Sequence, residues 1–151
     1  MKLFFISLGL LLIAACNNQQ SAPAADEHKA ADQHEHNLPA ESLRLNNGEK
    51  WKADSSTNNN VKALQVIVEQ FTSTEKTPGT YKQLGTTLQS GLDKMISECR
   101  MKGPDHDALH KWLEPLIGQV KKLNETEKPE ESAQHFSAIT QQIQLYFQFF
   151  E

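Results

Sequence analysis

Residues 80–123 read TYKQLGTTLQSGLDKMISECRMKGPDHDALHKWLEPLIGQVKKL. In this stretch Tyr81, Leu84, Leu88, Leu92, Met95 and Cys99 recur at helical spacing. Gly103-Pro104 interrupts the pattern, and His106, Leu109, Leu113, Leu116, Val120 and Leu123 resume it. Apolar residues three and four apart share one face of an α-helix, whereas a half-buried strand would alternate. The spacing therefore predicts two amphipathic helices joined by a tight turn. The first starts near Thr80 after Pro78-Gly79, and the second is capped by Asp105 beside its proline. Pro115 removes a backbone donor inside the second helix and is expected to kink it.

The same period extends to both sides. Upstream, residues 61–73 set Leu64, Ile67, Val68 and Phe71 on one face, with the asparagines of 58–60 as N-cap candidates. Downstream of Pro129, a further helix carries Phe136, Ile139, Ile143, Tyr146, Phe147 and Phe150. Four amphipathic helices on short loops predict an all-α fold, an up-down-up-down four-helix bundle. Residues 41–60 hold Leu43, Leu45 and Trp51 around a turn-like Asn46-Asn47-Gly48. They read as an ordered approach segment with Trp51 packed on the bundle, so the domain spans 41–151. In this topology the turn between the second and third helices shares an end with the start of the first helix and the finish of the fourth.

Residues 16–40 are rich in Asn, Gln, Ala, Asp, Glu and His, and Leu38 is their first large apolar side chain. Such a segment cannot offset its ordering entropy by burial and is expected to be a disordered, flexible tether. Residues 1–15 place Lys2 before an apolar run that ends in two alanines and Cys16, which is the pattern of an export signal peptide. The run falls short of the roughly 20 apolar residues a membrane span requires. Ile13-Ala14-Ala15-Cys16 resembles the lipobox of bacterial lipoproteins, in which the cysteine is diacylated and becomes the new N-terminus. The resemblance implies a membrane anchor on Cys16, and several acyl chains there would hold stably. Asn17, rather than Asp, is similar to the sorting signal for an outer membrane location facing the periplasm. The full chain carries a formal charge of −4, and loss of Lys2 with the signal makes it more negative. That balance argues against nucleic acid as a partner. A monomer is expected.

With Cys16 consumed by lipid, Cys99 is left without a partner for an internal disulfide. A lone thiol outside the cytoplasm calls for burial, a metal or an external partner. Between Cys99 and His110 the chain reads CRMKGPDHDALH. His106 and His110 lie four apart on one helix face, and the antiparallel turn brings Cys99 to their level. Cys99, Met101, His106 and His110 thus form a candidate metal site, with Met95 one turn earlier as an auxiliary sulfur. Thiolate and thioether donors select copper as Cu(I), and zinc follows if only Cys and His bind. His28, His34 and His36 in the tether are further auxiliary ligands, since His-rich tracts bind metal loosely. The bland alternative stays open. Cys99 and Met95 continue an apolar strip and fit a core, and the two histidines fit a solvated helix start.

The lipobox, the His-containing tether, Leu45-Asn46-Asn47-Gly48-Glu49-Lys50-Trp51 and the motif Cys99-x-Met101-Lys102-Gly103-x-x-His106-x-x-Leu109-His110 together resemble a group of small Gram-negative lipoproteins. The resemblance implies a periplasm-facing helical bundle with metal handling, and it carries no catalytic residues.

The leading expectation is a copper buffer, chaperone or resistance accessory that passes its ion to a metal efflux or resistance protein. A non-covalent haem bundle is one alternative, because a Met and a His from facing helices can ligate iron. A ligand-free interaction lipoprotein is the other, with Phe149 in the aromatic terminus expected off the apolar face. An enzyme is not expected. His106-Asp107-x-x-His110 is similar to the zinc-protease helix motif but has Asp for its Glu and no third ligand downstream.

Overall fold

The computed structural model describes residues 42–151. The chain divides into units Met1–His36 and Asn37–Glu151, and the described residues all belong to the second. The signal segment, Cys16 and the tether histidines His28, His34 and His36 lie outside the described residues.

Among the described residues run four helices, α1 (Ser55–Thr72), α2 (Pro78–Glu98), α3 (Pro104–Glu125) and α4 (Pro129–Phe149). α1 packs on α2, α2 on α3 and α3 on α4, α4 closes the ring against α1, and α2 also touches α4. This is the up-down-up-down four-helix bundle. Leu64, Leu88, Leu92, Leu116, Leu123, Ile139 and Ile143 fill its centre, each nearly or fully buried. At Gly91 a Cβ would lie 2.7 Å from Leu64 Cδ2, so the glycine lets α1 approach α2 closely.

The helix starts depart from the sequence expectation for local reasons. α1 begins at Ser55 rather than Val61, because Asp54 Oδ1 accepts from the Thr57 N–H at 2.6 Å and caps it. Residues 58–60 therefore lie inside the helix. Two of their side chains, those of Asn58 and Asn60, find distant partners. Tyr146 donates its hydroxyl to Asn58 Oδ1 at 2.9 Å, and Asn60 Nδ2 donates to Glu98 Oε2 at 2.8 Å. Burial, and then the nearby Asp54 and Cys99, push the Tyr146 phenol up, so it stays a neutral donor. α2 begins at Pro78, where Thr77 and Thr80 form a reciprocal capping box. Asp105 does not cap α3. Gly103, at φ 66°, takes that position, and its carbonyl accepts from the N–H of Asp107 at 3.0 Å. α3 continues through Pro115. Pro115 has no N–H to give to the helix, and it lies on the exposed side of α3.

Residues 42–54 are ordered as expected, but through a pairing the sequence does not announce. Trp51 N–H donates to Phe149 O at 2.8 Å, Glu151 N–H to Trp51 O at 3.0 Å and Ala53 N–H to Glu151 O at 2.9 Å. This short parallel clasp ties the approach segment to the end of α4. Asn46 and Glu49 exchange both backbone hydrogen bonds around Asn47 (φ 52°) and Gly48 (φ 93°), the positive angles of a type I′ hairpin turn. Trp51 packs on the core, and its Nε1–H donates to Arg44 O at 2.6 Å. Phe149, expected off the apolar face, is half-buried against the core, because the clasp folds the end of α4 under residues 51–53. Among the described residues no helix is long and apolar enough to cross a membrane.

Candidate metal site

α2 ends at Glu98, and Cys99 leaves the helix at φ −62° and ψ 132° while its N–H still donates to Met95 O at 3.0 Å. Both neighbours of Cys99 are tied to the start of α1. Ser56 Oγ donates to Glu98 O at 3.0 Å, Asn60 holds the Glu98 carboxylate, and Arg100 N–H donates to Asp54 Oδ2 at 2.7 Å. The Arg100 guanidinium covers the exposed end of α2, donating to Ser97 O at 2.8 Å and Cys99 O at 2.9 Å. Beyond the turn, Asp105 Oδ1 accepts from the Lys52 N–H at 2.9 Å. The loop carrying the thiol is thus pinned on both flanks by carboxylates bonded to backbone amides.

Asp54 carries most of this fastening. Partial burial pushes its carboxyl up, but the N–H groups of Thr57 and Arg100 and the Ser56 hydroxyl outweigh that and bring it down to about 2. Because the folded-state value lies below the ordinary 3.8, the contribution is complete above that pH. It is lost as pH falls toward about 2. Asp54→Ala is expected to lower stability by about 1–2 kcal/mol in urea unfolding at neutral pH. Asp54→Asn keeps an acceptor without the titration, so its stability should fall less steeply on acidification than that of the parent chain. Parallel acid profiles for the two would rule this role out.

Met95, Cys99, His106 and His110 line one cavity of about 140 Å³, together with Leu109, Leu113, Glu114 and neighbouring isoleucines of α2 and α3. Met95 is 1 % exposed and forms the floor, Cys99 and His106 are half-buried, and His110 is exposed. The imidazoles of His106 and His110 meet edge to face, with centroids 4.6 Å apart. Glu114 Oε1 stands 3.7 Å from His110 Nδ1. The structure separates the two candidate methionines. Met95 shares the helix face of Cys99, whereas Met101 follows the end of α2 and packs half-buried against the core without lining the cavity. Glu114 adds a carboxylate to this corner at a spacing of four from His110, one helical turn on.

As placed, no three Cys, His, Asp or Glu side chains among the described residues form a ready-made set of metal ligands. The thiol and the rings border the same cavity, and side-chain rotation is required to turn them onto one ion. A larger cavity of about 410 Å³ lies between the approach segment and α3, lined by Leu43, Arg44, Trp51, Asp107 and Lys111 among others. It holds no sulfur or imidazole. The remaining described histidine, His135, pairs through Nδ1 with Gln119 Oε1 at 2.9 Å. Soft-donor chemistry is thus concentrated at the α2–α3 turn. No family model, curated protein or solved structure matches this chain.

Proposed function

We propose that this chain is a lipoprotein of the cell envelope, anchored through Cys16, whose bundle binds one soft transition metal ion. Copper as Cu(I) is the first choice and zinc the second, and the chain serves as a buffer or chaperone that hands the ion to an efflux or resistance protein. The observation that carries this reading is one small cavity bordered by two sulfur and two imidazole side chains, those of Met95, Cys99, His106 and His110. Soft donors favour Cu(I). One thiolate makes the Cu(I) complex electrically neutral, so the apolar walls penalise it less than a doubly charged ion. The volume also discriminates. Small-molecule pockets run to about 300–1,000 Å³, and a cavity of about 140 Å³ suits an ion better than the haem macrocycle. The ligand-free interaction reading draws less support, since Phe149 packs on the core. Leu45, Val66 and Ile96, the large apolar residues left exposed among the described residues, are scattered along the sequence.

The test is an anaerobic Cu(I) titration of the full chain in detergent against a competing chelator, followed by elemental analysis. One tightly held equivalent is expected. It should disappear in Cys99→Ala, weaken in His106→Ala and Met95→Leu, and persist in Met101→Leu. Equal copper in the parent chain and Cys99→Ala would remove the proposal.

A further inference from the structure

We propose that the cavity between the approach segment and α3 binds a small monocarboxylate with an apolar body. This site is independent of the copper reading, because among the described residues the two cavities share no lining side chain. Its volume of about 410 Å³ falls within the roughly 300–1,000 Å³ of small-molecule pockets. Protein interiors pack as densely as organic crystals. A space of that size beside an indole therefore forgoes contacts that a ligand can supply.

Three observations describe the occupant. The first is the fastening of the wall. Trp51 Nε1–H donates to Arg44 O at 2.6 Å and closes the loop around the Asn46–Glu49 turn. The amides of Trp51 and Ala53 are tied to the end of α4, and the Lys52 N–H is held by Asp105 in the first turn of α3. The segment is thus fixed beside α3 without filling the space between them, so little of the binding energy is lost to ordering a loop. The second is the apolar surface. Leu43, Trp51, Pro104 and Ala108 line the cavity, with the indole half-buried, and such walls suit an aryl or branched alkyl group. The third is charge. Arg44 and Lys111 border the same space against one carboxylate among the described residues, that of Asp107. Pro104 and Asp107 belong to the first turn of α3, where the helix dipole adds partial positive charge. A guanidinium matches a carboxylate in a two-point pair, and Asp107 opposes a second negative charge on the ligand. The balance selects a monoanion.

The probe is 3-phenylpropanoate, compared with 3-phenylpropanol and 3-phenylpropylamine, which keep its body and replace the negative charge by none or by a positive one. The sequence holds two tryptophans, so a nitrogen–proton correlation spectrum of the full chain in non-ionic detergent shows two indole N–H resonances. Trp51→Phe assigns them. The carboxylate is expected to shift the Trp51 resonance saturably and to leave that of the fully buried Trp112 in place. The alcohol and the amine should bind at least about tenfold more weakly. Arg44 is exposed, and its backbone carbonyl is what holds Trp51, so Arg44→Gln removes the charge and keeps the frame. It should weaken the carboxylate by about tenfold, the loss of one charge-assisted pair. Lys111→Gln should weaken it less, and Asp107→Asn should tighten it. Equal shifts with all three probes, which partition into detergent alone would give, overturn the inference. So does an Arg44→Gln variant that binds as tightly as the parent, or a Trp51 resonance that no probe moves. Each of those results leaves the Cu(I) titration of the thiol cavity to be judged by itself.

Discussion

Trp112→Ala is expected to lower the stability of the bundle by about 3–5 kcal/mol, a large share of the roughly 5–15 kcal/mol that holds a domain folded. The indole is fully buried and meets the Tyr146 ring edge to face at 4.9 Å. It is also half of a reciprocal bridge between α3 and α4. Trp112 Nε1–H donates to Gln142 O at 2.6 Å, and Gln142 Nε2 donates back to Trp112 O at 2.7 Å. Truncation leaves a large void and takes the indole donor away from the partly buried Gln142 carbonyl. Trp112→Phe separates the two effects, since it keeps most of the ring and loses only the donor, at an expected cost of about 1–3 kcal/mol. Urea unfolding of both variants checks the pair. A Trp112→Ala midpoint within error of the parent would show that α3 and α4 do not depend on this bridge.

Trp112 also marks the limit of reading strips from sequence. Leu109, Leu113, Leu116, Val120 and Leu123 form an unbroken run at helical spacing, and all are buried. Trp112 lies beside that run on the same helix and widens the buried face. A bundle helix contacts neighbours on both flanks, so its apolar face is broader than one strip. The start of α1 was hidden for the opposite reason. Asparagines at 58–60 read as a cap by local propensity, but Asn58 and Asn60 are held by Tyr146 and Glu98. Those contacts come from helices remote in sequence. The clasp between residues 51–53 and the end of α4 is equally non-local, and no periodicity in either segment foretells it.

The site was legible where it depends on helix geometry and illegible where it depends on a helix end. The spacing of His106 and His110 and the placement of Met95 one turn before Cys99 follow from the period of α2 and α3, and those four residues share a cavity. Nearness to the turn in sequence groups Met101 with them. The termination of α2 at Glu98 sends the connection along an extended path instead, and Met101 turns to the core. Asp105 looked like a cap because of its neighbour Pro104. The backbone of Gly103 took that position, and the carboxylate was freed to hold the Lys52 amide.

If the α2–α3 turn holds copper as proposed, loading is expected to raise the thermal stability of the bundle, and the size of the rise follows from mass action. A ligand that binds only the folded chain stabilises it by about 2.7 kcal/mol when free ligand stands at about a hundred times its Kd. For a domain of this size that is a rise in Tm of roughly 10 °C or more. The folded chain has the advantage because Cys99 belongs to the end of α2 and the histidines to the start of α3, with the loop between them fastened by Asp54 and Asp105. An unfolded chain would have to close that loop against its own entropy before the same donors met. Anaerobic thermal unfolding monitored by circular dichroism, with Cu(I) buffered by a chelator, should show the shift in the parent chain and in Met101→Leu. Cys99→Ala should unfold at one temperature with or without copper. If Cys99→Ala gains as much as the parent, the stabilising copper sits elsewhere, the tether histidines being the first place to look, and the α2–α3 turn is then only a packed corner of the bundle.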